Sequence, residues 1–469
     1  MKTRRLEHAG KNRFWEVFWE EREAETVTGV LGTKGRARRH YMGSPMLCKE
    51  FVETEVAVRT RQGFVEVLPE MVQSEAAPQA ESSPEWLARI AESFDDDQPR
   101  LVYADWLQTK GDPVGELIAV QCERARLDAW DPKHKALRDR EEHLLETFRA
   151  RWLPSVVGAE ITFHRGFVER VRIELPFQLE ILVRVLASAP LVRTLELVEA
   201  REPWRAQGSL LPWELPLPTP LQHLTGLFVR GRKLESRQVR ALIDFPDLAR
   251  IDRLGLRSCG IGASELKMIG ERAWRELDLH DNVYGTRGVE HLIAHASQLV
   301  SLDLGSSGVR DEGAQLLASA PLSALTRLSL RRSDLTARSL GPLARSSKLA
   351  GLRTLDLSCN RLGSDELAAL LEAPALRSLV ELDLRETQLG DQGIIALAGS
   401  SLASQLVSLE LGQNGITEAG ARTLVEARFP ALRYLNASGN PLGAAGPLLK
   451  AALPQARVVA RARAVTVPP

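Results

Sequence analysis

From residue 192 onward the chain returns again and again to one arrangement of apolar positions, L-x-x-L-x-L followed by a short polar turn. Aligning VRTLELVEA, LTGLFVRGRKL, IDRLGLRSCGI, WRELDLHDNVY, LVSLDLGSSGV, LTRLSLRRSDL, LRTLDLSCNRL, LVELDLRETQL, LVSLELGQNGI and LRYLNASGNPL places their central hydrophobes at Leu195, Leu227, Leu254, Leu277, Leu302, Leu328, Leu355, Leu382, Leu409 and Leu435. The steps between them are 32, 27, 23, 25, 26, 27, 27, 27 and 26 residues. FVERVRIEL, centred on Val171, reads as one further degenerate unit. Between these apolar triplets lie segments such as LGSDELAALLEA, LGDQGIIALAGS and ITEAGARTLVEA, whose apolar residues at i, i+3 and i+4 predict helices of two to three turns. Each unit is therefore expected to be a strand, a turn and a helix.

One such unit cannot bury its own row of Leu side chains. Stacking hides them, at about 1.5–3 kcal/mol per side chain before entropy is subtracted, so stability accumulates along the array. Asn282, Asn360, Asn414 and Asn440 follow the strands where backbone groups of the turn need partners, and Cys259, Ser307, Ser333 and Thr387 hold equivalent places. Period and pattern together are those of leucine-rich repeats. The step near 27 and the G-x-x-G-x-x-x-L character resemble the ribonuclease-inhibitor type. That resemblance implies an α/β horseshoe solenoid over residues 154–455, with parallel strands on the concave side and helices on the convex side. Residues 456–469, β-prone and basic, would form a last capping strand or a tail. The one long step contains EPWRAQGSLLPWELPLPTP, whose five prolines exclude helix and repeat core. It reads as a loop with Trp204 and Trp213, either a lid over adjacent repeats or a contact for a partner.

Upstream, SPEWLARIAESFDDDQPRLVYADWLQTKGDPVGELIAVQCERAR predicts capped helices: Ser83-Pro84-Glu85 starts one and Asp112-Pro113 starts that over 114–126. In the helix between them Val102 pairs with Trp106 and Tyr103 with Leu107 on a buried face. A longer helix is expected over 132–152. Asp95, Asp96, Asp97 and Asp105 lack the spacing, Gly and bidentate Glu of an EF-hand, so capping and a salt bridge from Asp105 to Arg100 or its neighbours are expected instead of a metal site. The run DDDQPRLVYADWLQTKGDPVGELIAVQ resembles the short bacterial repeat-companion domain. The resemblance implies that residues 84–153 form a helical cap over the first strand of the horseshoe.

Before a Ser/Ala/Pro/Glu linker at 74–83, residues 1–73 alternate apolar and polar positions through Phe14–Phe18, turn, resume at Val27–Leu31, and end in a helix near 46–60 and a short strand at 64–68. This order, from Arg13 to Val67, resembles the WGR domain. That domain accompanies catalytic domains in poly(ADP-ribose) polymerases, where it helps hold DNA ends. Where the family carries Trp-Gly-Arg, this chain has Thr28-Gly29-Val30, followed by Leu31-Gly32-Thr33. The stacking face and the charge of the signature are thus missing. A basic turn of Lys34, Arg36, Arg38, Arg39 and His40 remains as the possible nucleic-acid contact.

Composition narrows the function. The 469 residues carry 61 basic and 61 acidic side chains, and 44% are hydrophobic. This excludes a globally charged binder but not a local pattern. Neutrality is a mosaic: residues 1–73 carry 13 basic and 11 acidic side chains, 84–153 carry 11 and 15, and 154–469 carry 37 and 33. Four scattered cysteines without a CxxC pair argue for a reducing cytoplasm and against a cysteine zinc site. No signal-peptide or membrane-spanning stretch is expected. His291 and His295 stand four apart without the HExxH pattern, and no phosphate-binding loop, dinucleotide fingerprint or nucleophile elbow is present, so no enzyme, metal or cofactor is expected.

Residues between the second and third Leu of each strand point away from the core. In order they are Glu196, Phe228, Gly255, Asp278, Asp303, Ser329, Asp356, Asp383, Glu410 and Asn436, flanked by Arg230, Arg253, Arg257, Arg327, Arg331 and Arg385. Asp at this place has a structural origin within the repeat or a role in binding. Carboxylates stacked one repeat apart repel each other and favour a ligand that supplies Lys or Arg. The expectation is a bacterial, cytoplasmic, non-enzymatic scaffold that binds a protein partner on the concave face through Asp278, Asp303, Asp356, Asp383, Glu410, Arg257, Arg331 and Arg385. The alternative is a nucleic-acid sensor acting through Lys34, Arg36, Arg38 and Arg39. A third reading, a small-GTPase regulator, rests on the repeat type shared with Ran GTPase-activating proteins, whose catalytic arginine nothing here marks.

Overall fold

The computed structural model describes the chain except residues 1, 9–10, 12, 21–22, 31–35, 42–44, 63, 68–83, 128–130, 153–158, 176–188, 190, 200–223, 247–249, 365–366, 374–375 and 461–469. The expected linker at 74–83, the proline-rich loop with Trp204 and Trp213, and Lys34 lie outside the described residues. The chain divides into two compact units, residues 1–90, 102–115 and 142–155, and residues 91–101, 116–141 and 156–469.

In the first unit, β1 (Lys2–His8), β2 (Arg13–Glu20), β3 (Glu23–Val30), β4 (Arg36–Tyr41) and β5 (Val65–Val67) form an antiparallel sheet in the order β4-β3-β2-β1-β5. Helix α1 (Pro45–Arg61) lies between β4 and β5 in sequence. Alternation puts Leu6, Trp15, Val17 and Ala24 on one sheet face, where Cys48, Val52 and Val56, spaced four apart on α1, complete a buried core. Two expectations are corrected. Strand β1 has no counterpart in the sequence reading, because Lys2–His8 carries one core residue, Leu6, among charges. Residues 36–41 are an edge strand instead of a turn, paired with β3 from Thr28↔Arg36 to Glu23↔Tyr41.

Four helices follow as expected: α2 (Pro84–Glu92), α3 (Gln98–Thr109), α4 (Pro113–Arg126) and α5 (Pro132–Trp152). Asp carboxylates open three of them, Asp96 accepting from the Gln98 N–H at 2.9 Å, Asp112 from Val114 at 2.9 Å and Asp131 from Lys133 at 2.8 Å. On α3 the buried face is Tyr103, Ala104 and Leu107, whereas Val102 is 49% exposed. The expected Val102–Trp106 pair is therefore rotated off the buried face, and half-buried Trp106 stacks on Tyr103 instead, 5.9 Å between ring centroids. The expected bridge from Asp105 is also absent among the described residues. Arg100 is fully buried, donates to the Asp96 carbonyl at 2.8 Å and lies 4.4 Å from the Phe94 ring, while Asp105 is exposed.

In the second unit, a hairpin of β6 (Ala159–His164) and β7 (Phe167–Leu175) begins a sheet that has thirteen strands among the described residues. It continues in parallel through β8 (Thr194–Glu199), β9 (Gly226–Arg230), β10 (Arg253–Arg257), β11 (Glu276–Asp278), β12 (Ser301–Asp303), β13 (Arg327–Ser329), β14 (Thr354–Asp356), β15 (Glu381–Asp383), β16 (Ser408–Glu410), β17 (Tyr434–Asn436) and β18 (Arg457–Val459). Every central Leu of the sequence alignment pairs with the next, from Val171↔Leu195 to Leu409↔Leu435. Among the described residues β18, Arg457–Val459, is the last strand, paired in parallel with β17, and the rest of the expected C-terminal segment, 461–469, lies outside them.

The first repeat strand, β7, has its outer edge paired by β6, so a strand and not a helix satisfies that backbone. The helical segments of this unit grip the hairpin's turn. Arg165 and Gly166 sit there at φ 49 and φ 85. The Gly166 N–H donates to Gln121 Oε1 at 2.5 Å, and Gln121 in turn donates to buried Glu141 at 2.7 Å. The Arg165 guanidinium reaches Asp97 at 3.3 Å, and Arg126 reaches the same carboxylate at 3.0 Å. On the solenoid, the Arg193 guanidinium lies 4.2 Å from the Phe94 ring.

Candidate functional site

The residue after the strand builds the turn that positions the open sheet face. Asn282 donates through Nδ2 to Leu256 and Leu279 carbonyls at 2.7 and 2.8 Å, and its Oδ1 accepts from Cys259 and Ile261 amides at 3.1 and 2.9 Å. Asn360, Asn414 and Asn440 repeat that pattern. Ser307 substitutes with its hydroxyl, accepting from Asn282 N and donating to the Leu279 carbonyl. Cys259 donates from its thiol, which burial pushes up to about 12, to the Val229 and Arg257 carbonyls at 3.3 Å each. Residues just before this position take a left-handed φ in one repeat after another: Ser258, Asp281, Ser306, Arg332, Cys359, Glu386 and Gln413, between 47 and 58. Each strand thus ends in the same bend, and equivalent side chains line up.

Register makes the outward column real. Gly255↔Asp278, Asp278↔Asp303, Asp303↔Ser329, Ser329↔Asp356, Asp356↔Asp383, Asp383↔Glu410 and Glu410↔Asn436 are Cα partners. Two residues further along each strand lie Arg257, His280, Gly305, Arg331, Ser358, Arg385 and Gly412, linked by the continuing backbone ladder. Two residues before the column lie Arg253, Glu276, Ser301, Arg327, Thr354 and Glu381. Glu276 and Glu381 were missed as site residues, although the period-two rule that found the central column applies to them equally.

Each column Asp spends an oxygen on its own repeat. Asp278, Asp303, Asp356 and Asp383 accept from the backbone N–H two residues on, at 3.2, 2.9, 2.9 and 3.0 Å. Asn436 does the same toward Ser438 at 3.0 Å, which shows that this contact needs an acceptor and not a charge. Several charges are also paired within the face. Glu196 meets Arg230 at 2.9 Å, His280 Nδ1 lies 3.5 Å from Asp303, and Arg385 clasps Asp383 while standing 3.7 Å from Glu410. Asn436 donates to Glu410 at 2.7 Å. The Arg385 cation is strengthened by its hydrogen bonds to Asp383.

The carboxyls of one column are not equivalent. Burial and the neighbouring Asp303 charge hold Asp278 above the usual carboxylate range. Burial pushes Asp303 the same way, yet the bonds from His280 and the Gly305 amide outweigh it and hold Asp303 below that range. Asp356 is raised by burial and by Asp383, despite the Ser358 hydroxyl bonded to it at 2.6 Å. Arg257 and Arg331 act through their charge, Arg257 on Asp278 and Arg331 on Asp356.

Three stretches of this array, residues 295–318, 352–371 and 375–398, match the family model of the Leucine Rich repeat. The chain carries leucine-rich repeats. Among solved structures it is similar to a chain of the yeast Rad7 and Elc1 complex, with 16% identity over 80% of this chain and 87% of that one at a TM-score of 0.40. A protein of Bacteroides fragilis is similar over 82% of this chain and 97% of its own, with 16% identity and a TM-score of 0.28. No curated protein matches it in sequence.

The other candidate residues are not gathered in this way. In β4, alternation sends Arg36, Arg38 and His40 to the sheet face that packs on α1 and Arg39 to the opposite face, where it pairs with Glu25 at 3.1 Å. His291 lies in the last turn of the helix Gly285–Leu292, and His295 itself has a non-helical backbone at φ −123, so the two do not share a continuous helix face. Among the described residues no group of three or more His, Cys, Asp or Glu stands close enough to hold a metal, and no helix is long and apolar enough to cross a membrane.

Proposed function

We propose that this protein is a non-enzymatic interaction scaffold whose leucine-rich-repeat sheet binds a protein partner on its concave face. The observation that carries the reading is the register-aligned charged column Asp278, Asp303, Asp356, Asp383 and Glu410, edged by Arg257, Arg331 and Arg385, on the sheet face that does not bear the Leu core. Rigid strands fastened by the Asn turns hold these side chains in fixed places, which lowers the entropy cost of recognition. In the same reading residues 1–73 are a degenerate WGR-like domain, 74–83 a linker, 84–153 a repeat-companion domain and 154–455 the solenoid, working in the cytoplasm.

The test replaces Asp278, Asp303, Asp356 and Asp383 together by Asn, which keeps the oxygen that accepts from the backbone and removes only the charge. Partner capture from the native host should fall by at least about tenfold while the circular-dichroism melt stays near wild type. Capture at the wild-type level would refute the concave-face reading.

A further inference from the structure

The outward charges form a pattern along the sheet. On β10 stand Arg253, which donates to the Thr194 and Thr225 hydroxyls, and Arg257, whose charge acts on Asp278. On β11 and β12 follow Glu276, Asp278 and Asp303. On β13 stand Arg327, bonded to the Ser301 hydroxyl, and Arg331. On β14 to β16 come Asp356, Glu381, Asp383 and Glu410, with Arg385 offsetting part of their charge. The face is therefore not a uniform acidic ladder. It reads basic, acidic, basic, acidic in the order of the strands.

Neighbouring strands lie about 4.8 Å apart, so successive blocks are centred roughly 7–10 Å from one another. Interior strands of this sheet are paired on both edges, so a ligand lying across the face meets side chains and not free backbone groups. An extended peptide there would leave its own N–H and C=O groups without protein partners, whereas a helix satisfies them internally. One and a half helical turns span about 8.1 Å, close to the spacing of the blocks.

Building on the reading that this face binds a protein, we infer that its ligand is an α-helical segment whose acidic and basic residues alternate in blocks of about one and a half turns. Acidic blocks lie against Arg253/Arg257 and Arg327/Arg331, and basic blocks against Glu276/Asp278 and Asp356/Glu381. Like charges brought together by a wrong register repel, so the pattern selects both ligand and position.

The experiment titrates the full chain into three fluorescein-labelled helical peptides of about 28 residues at about 20 mM salt. One carries Glu and Lys in alternating blocks of one and a half turns, the second has the same composition alternating singly, and the third carries Lys throughout. The block peptide should bind at least roughly tenfold more tightly than either other peptide. In the variant Arg257→Glu/Arg331→Glu both basic blocks are neutralised and the face is left with a net negative charge, and preference should pass to the Lys peptide. Arg257→Gln/Arg331→Gln serves if the Glu variant does not fold, and should erase the block peptide's advantage. If the Lys peptide binds wild type best, the block pattern is overturned while an acidic binding face survives. If all three bind alike and no face variant matters, both readings fall. A dimer by sedimentation that the same substitutions dissociate would make a second copy the occupant and overturn the helical ligand.

Discussion

Asn360 Nδ2 donates to the Leu330 carbonyl oxygen at 2.8 Å, across the boundary between two repeats. It donates equally to Leu357 in its own repeat, and its Oδ1 accepts from the Ser333 and Leu335 amides. With the Ser358 carbonyl, which Nδ2 also reaches at 3.2 Å, one buried amide serves five backbone groups.

Asn360→Ala should cost about 2–4 kcal/mol, because it leaves buried backbone donors and acceptors without partners. Chemical denaturation measures the loss. Hydrogen exchange should locate it, with the Ser333 and Leu335 amides exchanging faster and Cys259 and Ile261, held by Asn282, unchanged.

The hairpin turn that seats against the helical segments gives a second prediction. Gly166 has φ 85, and a Cβ there would collide with the Ile118 side chain, whereas Gly111 has φ 72 and open space around it. Both Gly→Ala changes pay the left-handed backbone cost of about 1 kcal/mol, and only Gly166→Ala adds a steric term of about 1–3 kcal/mol. Equal shifts of the urea midpoint in the two variants would mean that the turn does not pack on α4.

What the sequence could and could not reveal follows from where its signals are periodic. The Leu column was readable to the residue, because every strand repeats one apolar triplet and each step is near the same length. Asn282, Asn360, Asn414 and Asn440 were readable for the same reason. Strands β1, β4 and β6 were not, since each is a short or charged strand whose place is set by pairing with a neighbour. Val102 shows the limit of local helical spacing: it is i, i+4 from Trp106, yet the packing selected Tyr103, Ala104 and Leu107. At the candidate site the column was legible, but its internal pairing was not. Nothing in the sequence alone says that Asp303 meets His280 or that each Asp accepts from the amide two residues on.

The unequal carboxyls predict a pH effect. Asp278 has a raised folded-state pKa, so its charged form opposes folding and the native state binds a proton before the unfolded chain does. Asp278→Asn retains the acceptor for the His280 amide and should raise the melting temperature at pH 7 by about 1–2 °C. The gap should close as the pH falls through the raised folded-state pKa toward the ordinary carboxylate range, where wild type protonates. A gap that widened on acidification would show the opposite sign of shift.

Cysteine accessibility is also set by the fold. Cys48, Cys122 and Cys259 are buried, and burial together with the nearby Asp97 pushes the Cys122 thiol up to about 11. Cys359, half-buried in its turn, should be alkylated first in the native protein, with the other three following only on unfolding.

The most direct measurement of the central claim is site-specific photocrosslinking in the native host. A benzophenone side chain at Ser329, in the middle of the charged column, should yield a discrete protein adduct. The same group at Gln315, exposed on the helix Arg310–Ser319, should yield none. An adduct from Gln315 alone, or the same adduct from both positions, would contradict recognition through the concave face.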